Sequence, residues 1–191
     1  MRSKVSPAMI AVVALMIAIT AVFTIAIQVP VPATTGYVNF SDVAIYFAAF
    51  LFGPWVGFVA GGVGTALADL SLGYAQFAPL SFVAHGLEGL LAGYVVHRLY
   101  RQTARGSSPY RPIASALAWG LGTVAMLASY ALGEALMFGW GPALVELPFN
   151  LLQNVVGGLV GIPLVLAVRR AYPPIAHIGR RREWTEGEEP E

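Results

Sequence analysis

Glu88 and His85 lie three residues apart in the stretch FVAHGLEGLLAGYVV, residues 82–96, which is otherwise apolar and contains no lysine or arginine. On a helix that spacing stacks the imidazole over the carboxylate, with Ser81 a further turn along the same face. A second polar group is Asn150, Gln153 and Asn154, whose i, i+3, i+4 spacing also puts all three on one helical face. A carboxylate, an imidazole and three amides can hold a flat, donor-bearing molecule, because the carboxylate accepts two parallel hydrogen bonds from an N–H edge. They are a poor match for phosphates or polycarboxylates, which need Lys or Arg.

The elements that carry these residues are membrane helices. Of 191 residues, 57% are hydrophobic and 11% charged, and the mean hydropathy is +0.69; soluble domains carry roughly 25% charged residues. All eleven basic residues fall in three groups: Arg2 and Lys4; Arg98, Arg101, Arg105 and Arg111; and Arg169, Arg170, Arg180, Arg181 and Arg182. The positive-inside rule puts these three regions in the cytoplasm. Apolar runs near 8–28, 42–52, 55–72, 79–97, 113–134 and 146–168 then give six transmembrane helices with both termini cytoplasmic, the second being short. The expected fold is an all-α integral membrane protein, a compact bundle with a cavity open to the outside. Residues 1–172 form one membrane domain and 173–191 a polar cytoplasmic tail, read as disordered. The chain has no cysteine, so disulfides and thiolate chemistry are excluded.

The acids outside the tail are Asp42, Asp69, Glu88, Glu134 and Glu146, each in the outer half of this topology. Intramembrane ionisable residues are expensive and commonly functional, which favours Glu88. Asp42 reads as a cap of the second helix. Asp69, Glu134 and Glu146 read as solvated helix ends, with Glu134 a secondary site candidate. In the outer loop, Tyr37 and Asn39 can cover and bond a ring, and Tyr74 is a further aromatic on the same side. Ala14 and Ala18 begin a small-residue stripe on the first helix, suited to close helix approach. The pairs Gly57 and Gly61, Gly89 and Gly93, and Gly157 and Gly161 have the same four-residue spacing.

Several stretches between Gly36 and Val95 together resemble a known family. They are Gly-Tyr-x-Asn-x-x-Asp from Gly36, Phe-Gly-Pro at Phe52, Gly-Gly-x-Gly from Gly61, Ala-Asp-Leu-x-x-Gly-Tyr from Ala68 and Gly-Leu-Glu-Gly around Glu88. The segment resembles the substrate-binding S components of energy-coupling factor vitamin transporters, in the riboflavin or hydroxymethylpyrimidine branch. One departure is His85, where relatives often carry lysine. The resemblance implies a subunit in a prokaryotic cell membrane that binds a vitamin from outside, with the first loop as lid. It further implies docking through Ala14 and Ala18 onto a membrane T subunit driven by two cytoplasmic ATPases. The chain itself would then be no enzyme and need no cofactor or metal; it has no phosphate-binding Gly-x-x-x-x-Gly-Lys-Ser/Thr loop, and no nucleic-acid partner is expected. The polar residues favour a neutral or cationic N-heteroaromatic cargo, such as hydroxymethylpyrimidine, thiamin or a pyridoxine-type vitamer, with riboflavin as runner-up. An intramembrane hydrolase using Ser81 and His85, or a structural scaffold, are the alternatives from other classes.

The charge segregation makes a direct prediction. Single cysteines at Arg105 and Glu186 should resist an impermeant thiol reagent in intact cells, while one at Thr35 reacts; labelling of Arg105 from outside would refute the six-helix topology.

Overall fold

The computed structural model describes residues 6–102 and 112–177. Helix α1 (Pro7–Ala26) leads into a β-hairpin of β1 (Gln28–Val31) and β2 (Gly36–Asn39). There follow α2 (Ser41–Phe52), α3 (Pro54–Leu72), α4 (Ala78–Gln102), α5 (Pro112–Phe138), α6 (Trp140–Ala171) and a 3₁₀ turn, Pro173–His177. The chain is an all-α membrane protein with six α-helices among the described residues, five of them long and apolar enough to cross a bilayer. Most of the basic 99–112 loop and the tail beyond His177 lie outside the described residues.

Helix α2 is the exception in length. Its 12 residues rise only about 18 Å, short of a hydrocarbon core of roughly 30 Å. It is buried instead of lipid-facing, with all of Ser41–Tyr46 and Ala48–Leu51 shielded. Its C-terminal end sits level with the basic ends of its neighbours: Arg169 Nη2 donates to the Phe50 carbonyl at 3.0 Å, and Gly53 adjoins His97. The hairpin leads directly into its N-terminus. The sequence reads this segment as a loop because of Pro30 and Pro32, yet β1 and β2 pair antiparallel, Val29 opposite Val38 and Pro30 opposite Tyr37. In a two-stranded hairpin every strand is an edge, where proline is tolerated, and Thr35 takes the turn at φ 59°.

Close packing between helices is set by glycine. A Cβ on Gly57 would lie 2.7 Å from both the Gly89 carbonyl oxygen and Ala49 Cβ, so α3 sits against α4 and α2 almost backbone to backbone. Gly61 meets the His85 carbonyl and Gly157 meets Asp42 in the same way. These contacts hold α2 and the polar turn of α4 in place. Gly53, at φ 101°, makes the tight turn from α2 to α3 that only glycine adopts cheaply.

The outer ends of α5 and α6 differ from expectation. No loop spans residues 135–145: both helices extend until they meet at Gly139, whose φ is 88°. Glu134 and Glu146 are therefore within the packed bundle and not at solvated ends.

Gly57→Val should destabilise the fold by about 1–3 kcal/mol through overpacking, read as a lower thermal midpoint in detergent. Gly120→Ala, which has nothing within 4 Å of its added Cβ, serves as the control and should leave the midpoint in place.

Candidate functional site

Helix α4 places Glu88 at the centre of a buried polar network. Glu88 is fully shielded; its Oε1 accepts from Asn154 Nδ2 at 2.7 Å and its Oε2 lies 2.9 Å from His85 Nδ1. Where Glu88 is ionised it can only accept, so Nδ1 then carries the proton and Nε2 of the neutral ring is left as an acceptor. The Asn154 amide is fixed by its other end. Its Oδ1 accepts from the Tyr46 hydroxyl at 2.9 Å and from Thr123 Oγ1 at 2.5 Å, which leaves Nδ2 to face Glu88. Asn154 is thus engaged on both sides and acts by positioning Glu88.

Asp42 belongs to the same network, which corrects its reading as a helix cap. It makes no capping bond. Its Oδ1 accepts from Gln153 Nε2 at 2.9 Å and lies 3.5 Å from His85 Nδ1, while Oδ2 is buried without a partner. Gln153 also accepts from the Asn39 backbone N–H at 2.6 Å, and so joins the hairpin to the floor of the site. The Asn39 side chain accepts from the Ser41 N–H at 2.8 Å. It is Asn39, ahead of the helix, that does the work expected of Asp42. The signal that could have promoted Asp42 is the absence of any Lys or Arg between Val5 and His97.

Asp69 and Glu146 hold the hairpin down. Tyr37 donates to Asp69 Oδ1 at 2.6 Å, and burial together with this carboxylate pushes the Tyr37 phenol well above its ordinary value, so it stays a donor. Tyr74 packs on Tyr37 with ring centroids 4.8 Å apart. Thr34 Oγ1 donates to Glu146 Oε2. Asp69, Glu134 and Glu146 are 3%, 0% and 2% exposed, which overturns their assignment to solvated ends. Asn150 and Glu134 form a separate buried group higher in the bundle, away from Glu88.

Between the hairpin and the floor lies a cavity lined by His85, Ser81, Tyr130, Tyr37, Asp69 and Glu146, among others. Glu88 is not on its wall; His85 stands in front of it. The space amounts to about 20 Å³, enough for a water molecule and far too little for an aromatic ring. A ligand of that size can be accommodated only if the hairpin or the wall moves. Ser81 Oγ bonds the Tyr130 hydroxyl at 2.9 Å, and no Ser81–His85 hydrogen bond occurs among the described residues, so the geometry lends no support to a hydrolase. Asp42, His85 and Glu88 offer ligand atoms all within 4.8 Å of one another, close enough to hold a cation, whether a metal ion or a protonated organic group.

The helical plan, with its buried polar groups under a hairpin, defines a polytopic membrane protein. Residues 4–170 match the family of ECF-type riboflavin transporters, S component, and the chain belongs to that family; it is a transport subunit. It is 35% identical over 154 residues to an uncharacterized protein of the gap 3′ region from Pyrococcus woesei, covering 81% of this chain and 97% of that one. It is 31% identical over 129 residues to the thiamine precursor transporter HmpT of Lactococcus lactis subsp. cremoris (strain MG1363), covering 67% and 68%.

Because the cavity is closed by the hairpin, restraining that hairpin should block access. With cysteines at Tyr37 and Asp69, in a chain that has none of its own, a short bifunctional thiol reagent should slow ligand association at least tenfold relative to the unreacted double variant. An unchanged rate would show that the ligand enters elsewhere.

Proposed function

We propose that this S component captures an aminopyrimidine, of the hydroxymethylpyrimidine or thiamin type, from the outer face of a prokaryotic cell membrane. It then delivers this cargo to a membrane T subunit powered by two cytoplasmic ATPases. The observation that carries the reading is the buried Asp42–His85–Glu88 group closing one end of a cavity with no basic residue on its wall. Two carboxylates this deep are costly unless their ligand donates hydrogen bonds or carries positive charge. His85 meets the ring edge, Nε2 accepting from an amino or ring N–H. Glu88 and Asp42 stand behind and favour a donor or cation there, and Tyr37 and Tyr74 close over the ring from above. The family assignment supports transport of a vitamin, and the thiamine precursor relative supports the pyrimidine.

Riboflavin is the second reading, favoured by the description of the family whose members the chain joins. It too is a flat heterocycle with an N–H edge.

The docking face is on α1. Ala14 and Ala18 are both exposed, whereas Met16, Thr20 and Thr24 on the other side are buried against the bundle. An exposed small-residue face lets another helix approach closely, as docking onto a T subunit requires.

Calorimetry and co-purification separate the two roles. In Glu88→Gln the amide oxygen keeps the Asn154 bond and the amide nitrogen can donate to His85 Nδ1 once the ring takes its other tautomer, so the fold survives, but Nε2 is then no longer an acceptor for the ligand. Affinity should fall roughly 10- to 150-fold, the worth of a charged hydrogen bond of about 1.5–3 kcal/mol, and assembly with T subunit and ATPases should persist. Ala14→Leu with Ala18→Leu should keep binding and lose assembly. Wild-type affinity in Glu88→Gln would remove the acid from recognition, and an assembling leucine pair would remove the α1 face.

A further inference from the structure

The floor of the site holds two acids and brings no permanent cation to them. Asp42 and Glu88 are fully shielded, and His85 beside them is 1% exposed. No Lys or Arg occurs between residues 5 and 97 or between 112 and 168. Two buried carboxylates without a positive partner are costly at membrane depth.

Hydrogen bonds divide each carboxylate into an anchored oxygen and a more open one. Glu88 Oε1 accepts from Asn154 Nδ2 at 2.7 Å, and Asp42 Oδ1 accepts from Gln153 Nε2 at 2.9 Å and from Ser41 Oγ at 3.2 Å. The other two oxygens are Glu88 Oε2, which faces His85 Nδ1 at 2.9 Å, and Asp42 Oδ2, buried with no hydrogen-bond partner among the described residues. Carboxylates that bind a metal are commonly oriented by such outer hydrogen bonds.

The spacing suits an ion of the zinc type. His85 Nδ1 lies 2.9 Å from Glu88 Oε2 and 3.5 Å from Asp42 Oδ1, and the ligand atoms that the three residues offer all lie within 4.8 Å of one another. Around a tetrahedral ion with bonds of about 2.0–2.1 Å, ligand atoms stand about 3.3–3.4 Å apart, so small rotations of the carboxylates close the set. One imidazole and two carboxylates suit zinc and its neighbours better than Mg²⁺ or Ca²⁺, which take more oxygen ligands. The charges also cancel: a divalent ion, two carboxylates and a neutral imidazole sum to zero.

We propose that Asp42, His85 and Glu88 form a binding site for a divalent metal ion of the zinc type. This goes beyond the family resemblance, which implies no metal, and it does not depend on the cargo proposed above. The ion takes Nδ1 of His85, whose proton moves to Nε2, so the imidazole stays neutral and offers the cavity a donor in place of an acceptor. The metal and an amino N–H edge are therefore alternative partners of the floor.

The purified chain, free of any histidine tag and stripped with chelator, should be equilibrated in detergent with Zn²⁺ alone and its bound metal counted by elemental mass spectrometry after gel filtration. Stoichiometric zinc is expected, with a raised thermal midpoint, because an ion held by the folded state stabilises it. Affinity should fall at least tenfold in Asp42→Asn and in His85→Gln, and stay unchanged in His97→Ala with His177→Ala. That double variant keeps one histidine, so Cu²⁺ bound in place of zinc should show a single coordinated imidazole by pulsed EPR. This arm alters nothing at the floor and stands even if the floor variants fail to fold. No saturable zinc in the unaltered chain overturns the site, as does zinc that survives both floor variants or is lost with His97 and His177. A copper spectrum without imidazole overturns it too. Vitamin binding is titrated separately on the metal-free chain, so the site and the proposed function fail independently.

Discussion

A carboxylate at membrane depth, with no basic residue to pair with it, has to be met by hydrogen bonds, and the arrangement around Glu88 follows from meeting it. Asn154 donates to one oxygen and His85 faces the other. Asn154 can do so only because Tyr46 and Thr123 hold its amide the right way round. Tyr46 comes from α2, Thr123 from α5 and Asn154 from α6, so one buried carboxylate ties four helices to a common point. Partly satisfied networks of this kind are costly in a low dielectric. The satisfied portion gives α4 its rotational setting, and Asp42 Oδ2 is left buried without a partner.

The hairpin and α2 solve a linked problem of length. A 12-residue helix cannot cross the bilayer, and an open backbone segment above it would expose unpaired amides to lipid. Folding residues 28–39 into a paired hairpin satisfies much of that backbone, and Gly36, Tyr37 and Asn39 of it line the cavity. The hairpin is tethered by side chains: Tyr37 to Asp69, Thr34 to Glu146 and the Asn39 amide to Gln153. All three tethers end on polar groups of the cavity wall or floor. Under the proposed function, a ligand that binds those groups competes with the closed hairpin or reorganises it.

Much of this protein was legible in its sequence because membranes impose simple rules. Hydropathy runs gave the helices, since about 20 apolar residues are needed to cross, and the glycine spacing gave close helix pairs, since only a missing Cβ lets backbones approach. The cost of an intramembrane acid singled out Glu88, and helical periodicity put Asn150, Gln153 and Asn154 on one face. Motif order between Gly36 and Val95 pointed to the family. Tertiary structure alone decided what each polar side chain meets. It turned Asp42 from a cap into a wall of the imidazole pocket, because Gly157 lets α6 come close enough for Gln153 to reach it. It buried Glu134 and Glu146, because α5 and α6 run on to a one-residue turn that hydropathy cannot distinguish from a loop. It also split the α6 amides, which share a face but lie at different depths: Asn154 serves Glu88, Gln153 serves Asp42 and the hairpin, and Asn150 is left with an open donor. Periodicity fixes direction around one helix axis, whereas partners depend on the height and approach of neighbouring helices, and those are set only when the bundle packs.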